Sequence, residues 1–278
     1  MNFDCDVRYT NEPLNFAAMR YFIRLRYKGT TYHGWQIQNN AHTVQENVDK
    51  ALSLALRCTI ETLGCGRTDT GVHADDFYAH FDIEKPIEET QLILNKLEAM
   101  KIPGIQFRSI HLVDDRAHAR FDAIQRTYEY RIALERNPFL DGMVHYLKAD
   151  SKQGRLDIVA MNTAANKLYG KQDFSAFSKS NTQVFTNNCE IVKAVWEEKN
   201  GLLIFTISAD RFLRNMVRAI VGTLLEIGQG KRTIEEMKSV IESKSRSDAG
   251  MSVPASGLFL TEIKYPDSFQ LEPNSSNS

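Results

Sequence analysis

An Asn-Gly pair at residues 200 and 201 constrains the fold more than any other short feature of this sequence. Both residue types tolerate the left-handed backbone that a two-residue hairpin turn requires. The flanking runs 189–198 and 202–209 are rich in β-branched and aromatic residues, so we expect two antiparallel strands there. The fold must therefore include an antiparallel sheet.

The remaining patterns alternate between strands and helices. Period-two patterns and short apolar runs predict further strands at 21–27, 58–63, 78–81, 105–113, 127–134 and 259–265. Helical spacing and capping residues predict helices at 43–57, 88–100, 156–169 and 211–227, and a short helix capped by Thr233 and Glu236. This mixture indicates an α+β fold with a mixed, mainly antiparallel sheet.

The chain divides into two halves that resemble each other loosely, each running strand, helix, strand. A soft boundary near 115–125 separates them. We expect an N-terminal extension at 1–19, a first half at 20–118, a second half at 119–266 and a disordered polar tail at 267–278.

Composition excludes several classes of protein. The 278 residues are 42% hydrophobic and 25% charged, which is typical of globular proteins and argues against disorder. The four cysteines form no CxxC pair, and no apolar run is long enough to span a bilayer. We expect reduced thiols, no metal, no membrane segment and, without a secretory signal, a cytoplasmic location. A net charge of −1 allows only a local basic surface for nucleic acid.

The most informative segment runs from Gly64 to Ala74 and reads GCGRTDTGVHA. Three glycines within eight positions permit a tight loop that presents a polar side chain. Arg67 and Asp69 are two residues apart, so an extended loop would place a cation beside a carboxylate. A guanidinium group favours the ionised carboxylate, the form that a nucleophile requires.

Each of these residues also has a more ordinary interpretation. An aspartate in a glycine-rich turn is usually a turn former, and an arginine nearby is usually a weak surface ion pair. His73 could be a general base, although a single histidine beside a turn is more often a packing residue. The phosphate-binding patterns GxxxxGK[ST] and GxGxxG are absent from the segment.

The string GRTDTGVHA closely resembles the signature loop of the tRNA pseudouridine synthase A family, in which the aspartate is the nucleophile. Further matching segments occur in the expected order over about residues 20 to 265. They are YHGWQ at 32–36 with Gln38, Val44-Gln45, AHARF at 117–121, RTYEY at 126–130, Asp173-Phe174, NMVRAIVG at 215–222 and GLFL at 257–260.

The resemblance implies a role for each matching residue. Asp69 matches the nucleophile, Arg67 the arginine associated with nucleotide flipping, and Tyr128 the tyrosine that stacks on uracil. Arg218 matches a cation paired with the carboxylate, and Leu258 an apolar wall of the pocket. The implied tRNA contacts are His118, Arg120 and Arg136, and the arginine pattern described below adds Arg214 as a further expected contact.

The resemblance further implies a pseudouridine synthase fold, with the two halves flanking a central active-site cleft. It implies isomerisation of uridines at positions 38–40 of the tRNA anticodon stem-loop, no cofactor, and a homodimer that holds one tRNA across both subunits. Whether the aspartate attacks the sugar, attacks the base or assists elimination stays open.

Two patterns in the residues themselves agree with this assignment. On a period of two, Tyr128 ends an apolar face that continues through Tyr130 and Ile132, which suits a ring stacked on a base. Arg211, Arg214 and Arg218 would form one stripe if 211–227 is a helix. Residues 116–136 add five arginines and no lysine, and the guanidinium fork suits phosphate oxygens.

Some positions depart from the family pattern. Thr127 stands where a second arginine often precedes the tyrosine, and residues 178–183 replace a more basic RNA-contact segment. Two other classes of function compete with the synthase. An RNA-binding module would need the arginines without Asp69, and a glycoside hydrolase would need a second carboxylate, with Asp75 and Asp76 the nearest candidates.

Overall fold

The computed structural model describes residues 18–148, 156–179 and 185–271. Within them the chain forms ten strands and five α-helices. The strands are β1 Met19–Tyr27, β2 Leu63–Gly64, β3 His73–Ile83, β4 Ile105–Val113, β5 Gln125–Ala133, β6 His145–Tyr146, β7 Gly170–Asp173, β8 Asn188–Lys199, β9 Leu202–Ala209 and β10 Leu258–Lys264. The helices are α1 Val44–Leu56, α2 Thr90–Ala99, α3 Ile158–Ala165, α4 Met216–Gly228 and α5 Glu236–Ser243.

All ten strands belong to one mixed sheet, with the main order β4-β1-β3-β10-β5-β9-β8-β7. Strand β2 pairs with β3, and β6 pairs with β5. The β3–β10 and β5–β6 pairs are parallel and the other pairs are antiparallel. The predicted α+β class with a mixed, mainly antiparallel sheet is confirmed.

The Asn200-Gly201 turn joins β8 to β9 as predicted, and both turn residues have positive φ, 54° and 74°. The strand predicted at 58–63 is wrong, since only Leu63–Gly64 is extended there. Residues 60–62 instead bond to the side of α1. The amide of Ile60 donates to the Ser53 hydroxyl, and the amide of Thr62 donates to the Asp49 carboxylate. Side-chain bonds of this kind leave no signal in a strand pattern.

Buried side chains form two clusters, one on each side of the sheet's centre. One consists mainly of residues 130–258 and the other mainly of residues 21–123, with Leu260, Ile263 and Leu271 added from the C-terminal end. Strands β3, β10 and β5 lie side by side where the clusters meet. Tyr128 of β5 packs against both clusters, so it lies at the junction.

The tail predicted from residue 267 begins as ordered chain. Residues Asp267–Phe269 form a 3-10 turn, the Phe269 ring lies 5.7 Å from that of Phe22, and Leu271 is buried. These apolar side chains pack on the core, which a tail judged by its polar average does not reveal. Residues 1–17 of the predicted extension and residues 272–278 lie outside the described residues. No helix among the described residues has both the length and the apolar character needed to cross a bilayer.

Candidate active site

Asp69 lies in the loop between β2 and β3, and a second loop holds it in place. The main-chain carbonyl of Thr68 accepts a hydrogen bond from the amide of Trp35, at 3.3 Å, and the amide of Gly71 donates to the carbonyl of Tyr32, also at 3.3 Å. Tyr32 and Trp35 are each 1% exposed. The YHGWQ segment at 32–36 is therefore the buried support, or seat, on which the Asp69 loop packs.

Gly34 explains why this seat needs a glycine. Its φ is +84°, and a Cβ there would overlap the carbonyl of Thr68. The Thr68 side chain points into the core, where its hydroxyl lies 2.8 Å from the Tyr27 hydroxyl. Main chain and side chain together fix the residue immediately before Asp69.

Two arginines from the β9–α4 region face the carboxylate. Nε of Arg214 lies 3.6 Å from Oδ1 of Asp69, and Nη1 of Arg218 lies 3.8 Å from Oδ2. The Asp69 side chain keeps 31% of its surface exposed. The carboxylate thus has two cations beside it and still has room for a reacting group.

The expected pairing of Asp69 with Arg67 is not what the described residues show. The chain turns at Asp69, where the amide of Val72 donates to the Asp69 carbonyl at 3.1 Å, and the carboxylate faces Arg214 and Arg218. The Arg67 side chain is exposed and interacts electrostatically with Arg120. The cations beside the nucleophile candidate come from a distant part of the chain.

The helix predicted at 211–227 begins only at Met216, so Arg211 and Arg214 precede it and the predicted helical stripe is wrong. Asn215 has φ 67°, a left-handed conformation that asparagine tolerates, and this interrupts the helix. The Arg214 carbonyl accepts a bond from the amide of Lys179 at 3.1 Å. Arg214 nevertheless reaches Asp69, from a connecting segment and not from a helix face.

A C-terminal segment clamps Arg218 from the other side. Nε of Arg218 donates to the Val253 carbonyl at 2.7 Å, and the Val253 amide donates to the Arg218 carbonyl at 3.2 Å. The amide of Gly250 donates to the Thr223 hydroxyl at 2.8 Å. Residues 249–253, which we call the clamp segment, therefore lie along α4 in main-chain contact.

Arg246 closes the clamp segment on itself. Its guanidinium donates to the carbonyls of Ala249 and Gly250 and to the Ser252 hydroxyl, and the same hydroxyl accepts from the Asn215 side chain at 2.5 Å. This connection from Arg246 to Asn215 was not predicted, since each residue alone looks like a surface or capping residue.

Tyr128 lies on strand β5 and interacts electrostatically with Asp69. Burial, followed by the electrostatic effect of Cys65 and then, in part, of Asp69, raises the pKa of its hydroxyl well above the ordinary value. The Phe212 ring contacts it edge-on at 5.2 Å. Leu258 is 6% exposed and pairs with Tyr130 in the next strand. A carboxylate, an aromatic ring and apolar side chains thus meet near the centre of the sheet.

Further arginines lie beside this site. Burial, and then the positive charges of Arg67, Arg126 and Arg211, lower the pKa of Arg120. Among the described residues, no ion pair joins Arg67, Arg120 or Arg211 to an acid. We call these three the arginine cluster. Phe121, next to Arg120, is 74% exposed.

His118 supports this surface from within. Its Nδ1 accepts hydrogen bonds from the amides of Arg120 and Phe121, at 3.1 and 3.3 Å, and its own amide donates to Asp122. These bonds shape the turn that presents Arg120. Direct contact of His118 with RNA stays a prediction.

Other predicted phosphate-binding arginines have partners within the protein. Arg136 pairs with Asp141 at 3.8 Å, Arg131 with Asp75 and Glu129, and Arg116 with Asp114 and Asp115. Arg136 is 81% exposed and remains free to exchange its weak pair for a phosphate. Within the part of the chain that the structure describes, all the hydrogen bonds of Arg126 go to main-chain carbonyls.

The contacts of His73, Asp75 and Asp76 indicate structural roles for these three residues. The His73 ring is 1% exposed, stacks on Phe259 at 4.4 Å, and accepts a bond from the amide of Gly29. Burial lowers its pKa to about 4, which favours the packing interpretation over a general base. Asp75 pairs with Arg131 and Asp76 with Arg24, so neither is placed as a second carboxylate of a glycoside hydrolase.

Comparison with known proteins gives consistent results. A family model described as tRNA pseudouridine synthase matches residues 164–266. The chain is 48% identical over 248 residues to "tRNA pseudouridine synthase A" of Parabacteroides distasonis, covering 89% of this chain and 96% of that protein. It is 48% identical to the protein of that name from Bacteroides thetaiotaomicron, covering 89% and 91%. It is 36% identical to the one from Francisella tularensis subsp. novicida, covering 89% and 94%.

Proposed function

Since the chain belongs to the tRNA pseudouridine synthase family and is an isomerase, we propose that it converts uridines of the tRNA anticodon stem-loop to pseudouridine, with Asp69 as nucleophile and no cofactor. The observation that carries the proposal is the pair of arginines beside Asp69. Arg214 and Arg218 lie within 3.6 and 3.8 Å of its two oxygens, and the side chain keeps room for a substrate.

The reaction needs only what this site offers. The N1–C1′ bond of uridine breaks, the base turns and a C5–C1′ bond forms. The hydrogen on C5 leaves as a proton and N1 takes up a proton, so the product is an isomer of the substrate. No electron is gained or lost, so no redox group is required. Attack on the sugar, attack on the base and assisted elimination each need an ionised carboxylate next to the nucleoside, and two guanidinium groups favour that form.

The surroundings of Asp69 suit a detached base. Tyr128 would stack on the uracil from its position at the junction of the two cores, and Leu258 would form part of the apolar wall. Both side chains lie on strands, which hold a ring more rigidly than loops do. A stem-loop uridine must leave its stack to enter, and Arg67, which is exposed, would occupy or stabilise the vacated position.

We assign the binding of tRNA phosphates to the cations around the pocket. Arg120 belongs to the arginine cluster, Arg214 is 58% exposed beside Asp69, and Arg136 and His118 complete the expected tRNA contacts. A guanidinium group without an acidic partner gains most from a phosphate, because no ion pair must be broken first. Residues 180–184 of the atypical segment lie outside the described residues.

The resemblance described above supports the finer assignments. They are positions 38–40 of the tRNA as targets, a cytoplasmic homodimer that shares one tRNA, and a first half at 20–118 that carries the nucleophile against a second half at 119–266. The two core clusters, which meet at β3, β10 and β5, agree with that division.

The test uses purified protein and tRNA transcripts with single uridines at positions 38, 39 or 40. Carbodiimide labelling followed by primer extension locates pseudouridine. We expect a stop at each of these uridines and none in matched transcripts that carry cytidine there. Modification confined to other arms of the tRNA would contradict the regional assignment, and folded protein that makes no pseudouridine would contradict the enzymatic one.

A further inference from the structure

The guanidinium group of Arg126 bonds four main-chain carbonyls. Nη1 donates to Ala123 at 2.9 Å and to Asp210 at 2.8 Å. Nη2 donates to Arg120 at 2.6 Å and to Cys65 at 3.3 Å. These carbonyls belong to three segments that are far apart in sequence, so one side chain joins three loops.

Each of the three loops carries one member of the arginine cluster. Cys65 begins the loop that holds Arg67 and Asp69. The Arg120 carbonyl belongs to the cluster residue itself, and Asp210 immediately precedes Arg211. Arg126 therefore fixes the main chain at, or one or two residues from, every cluster side chain.

The like charges of the arginine cluster make a link between the three loops necessary. The cluster's three members carry like charges, and the positive charges of Arg67, of Arg126 itself and of Arg211 add to the effect of partial burial in lowering the pKa of Arg120. In the absence of RNA this repulsion favours separation of the loops. Hydrogen bonds from a rigid donor to the main chain oppose that separation without neutralising the charges that a phosphate must meet.

We propose that Arg126 is a positioning residue that preorganises the arginine cluster for the phosphates of tRNA without contacting the RNA itself. This inference rests on the proposed function for the identity of the ligand. Only arginine fits the role, because its planar fork offers five donors in fixed directions whereas a lysine ammonium is a single point charge.

The proposal requires that Arg126 act through the cluster. We compare Arg126→Gln and Arg126→Lys with Arg120→Ala and with the double variant Arg120→Ala/Arg126→Gln. The control is Arg232→Gln, which removes a partly buried arginine whose partner is Glu226 and which has no assigned role in tRNA binding. Binding of a full-length tRNA transcript is measured over a range of salt concentrations, together with kcat, KM and the thermal midpoint.

Both Arg126 variants should weaken tRNA binding about tenfold and lower the slope of log Kd against log salt by about one to two, the effect of one or two lost phosphate contacts. Lysine should not rescue, and it keeps the test available if the glutamine variant fails to fold. KM should rise more than kcat falls. Arg232→Gln should lower the thermal midpoint and leave the salt slope unchanged.

The double variant decides the question. If Arg126 acts through the cluster, the loss in the double variant is much smaller than the product of the single losses. Losses that multiply within about twofold would overturn the proposal, as would a lysine variant with the wild-type salt slope. A wild-type protein that binds tRNA but makes no pseudouridine contradicts the proposed function, and the binding cycle still tests Arg126. A protein that binds no tRNA contradicts both.

Discussion

Replacement of Gly222 by alanine should displace the clamp segment from α4. A Cβ at this position would lie 2.9 Å from the carbonyl carbon of Met251 and closer still to its oxygen. The obstacle is main chain, so one of the two segments must move by ~1.5 Å to restore van der Waals contact with the Met251 oxygen. The overlap should cost about 1–3 kcal/mol of folding free energy, partly offset by about 0.5–1 kcal/mol from the better helix propensity of alanine.

The catalytic effect should exceed the effect on stability. Val253 lies two residues from Met251 and accepts the 2.7 Å bond from Nε of Arg218, so the shift reaches the cation beside Asp69. A misplacement of ~1 Å in a catalytic constellation lowers turnover about 100-fold. We therefore expect kcat to fall by about two orders of magnitude, with little change in KM for tRNA.

The assay is release of tritium from tRNA labelled at C5 of uridine, measured below the thermal midpoint of every variant. Gly228→Ala is the matched control in the same helix, because its added Cβ meets the side chains of Met161 and Leu156, which must repack, and its nearest neighbours do not belong to the clamp segment. We expect its kcat to match that of the wild type. A folded Gly222→Ala protein with wild-type kcat would refute the view that the clamp segment sets the position of Arg218.

Two further predictions concern stability and the aromatic platform. Burial raises the pKa of Asp49 to about 6 despite its bonds from Thr62. The contribution of this pKa shift to the free energy of unfolding is therefore complete below about pH 4 and is lost as the pH rises through about 6. Asp49→Asn should then raise the free energy of unfolding at pH 8 by about 1–2 kcal/mol, after discounting for partial exposure, and leave it unchanged at pH 4. Denaturant titrations in which the substitution changes the free energy of unfolding equally at both pH values would contradict this. Tyr128→Phe should keep most of the turnover, whereas Tyr128→Ala should lose about 10- to 100-fold because the ring no longer stacks on the base; an equal loss in both variants would move the role from the ring to the hydroxyl.

Local backbone preferences made most of the fold predictable. The Asn200-Gly201 turn demanded left-handed φ values, and the structure has them at 54° and 74°. The box formed by Thr233 and Glu236 is also present, with reciprocal bonds between each amide and the other residue's side chain. Such features depend on residues three or fewer apart, so the sequence displays them directly.

The errors arose where a distant partner decided the structure. Residues 211–215 contain good helix formers, yet Asn215 adopts a left-handed conformation while its side chain bonds Ser252, 37 residues away. Likewise, Arg126 looked like one more phosphate-binding arginine until its four bonds to carbonyls became visible. A periodic pattern contains no information about partners at that separation.

The candidate site also combines residues that the sequence indicated correctly with a partner that it did not. The resemblance indicated Asp69, Tyr128 and Arg218, and in the structure Arg218 lies beside the Asp69 carboxylate, which also acts electrostatically on Tyr128. Spacing alone suggested Arg67 as the partner of Asp69, but the turn at Asp69 directs the carboxylate toward Arg214 and Arg218. Side chains two residues apart point the same way only if the loop stays extended. Hydrogen bonds to distant parts of the chain determine whether it does.

The role of Asp69 is tested most directly by single-turnover reactions with excess Asp69→Asn protein and labelled tRNA. Asparagine keeps the size of the side chain and removes the charge, so tRNA binding should persist within a few-fold. This variant should bind tRNA and form no pseudouridine at any enzyme concentration. Pseudouridine formed by the variant at a rate near that of the wild type would show that another group performs the chemistry.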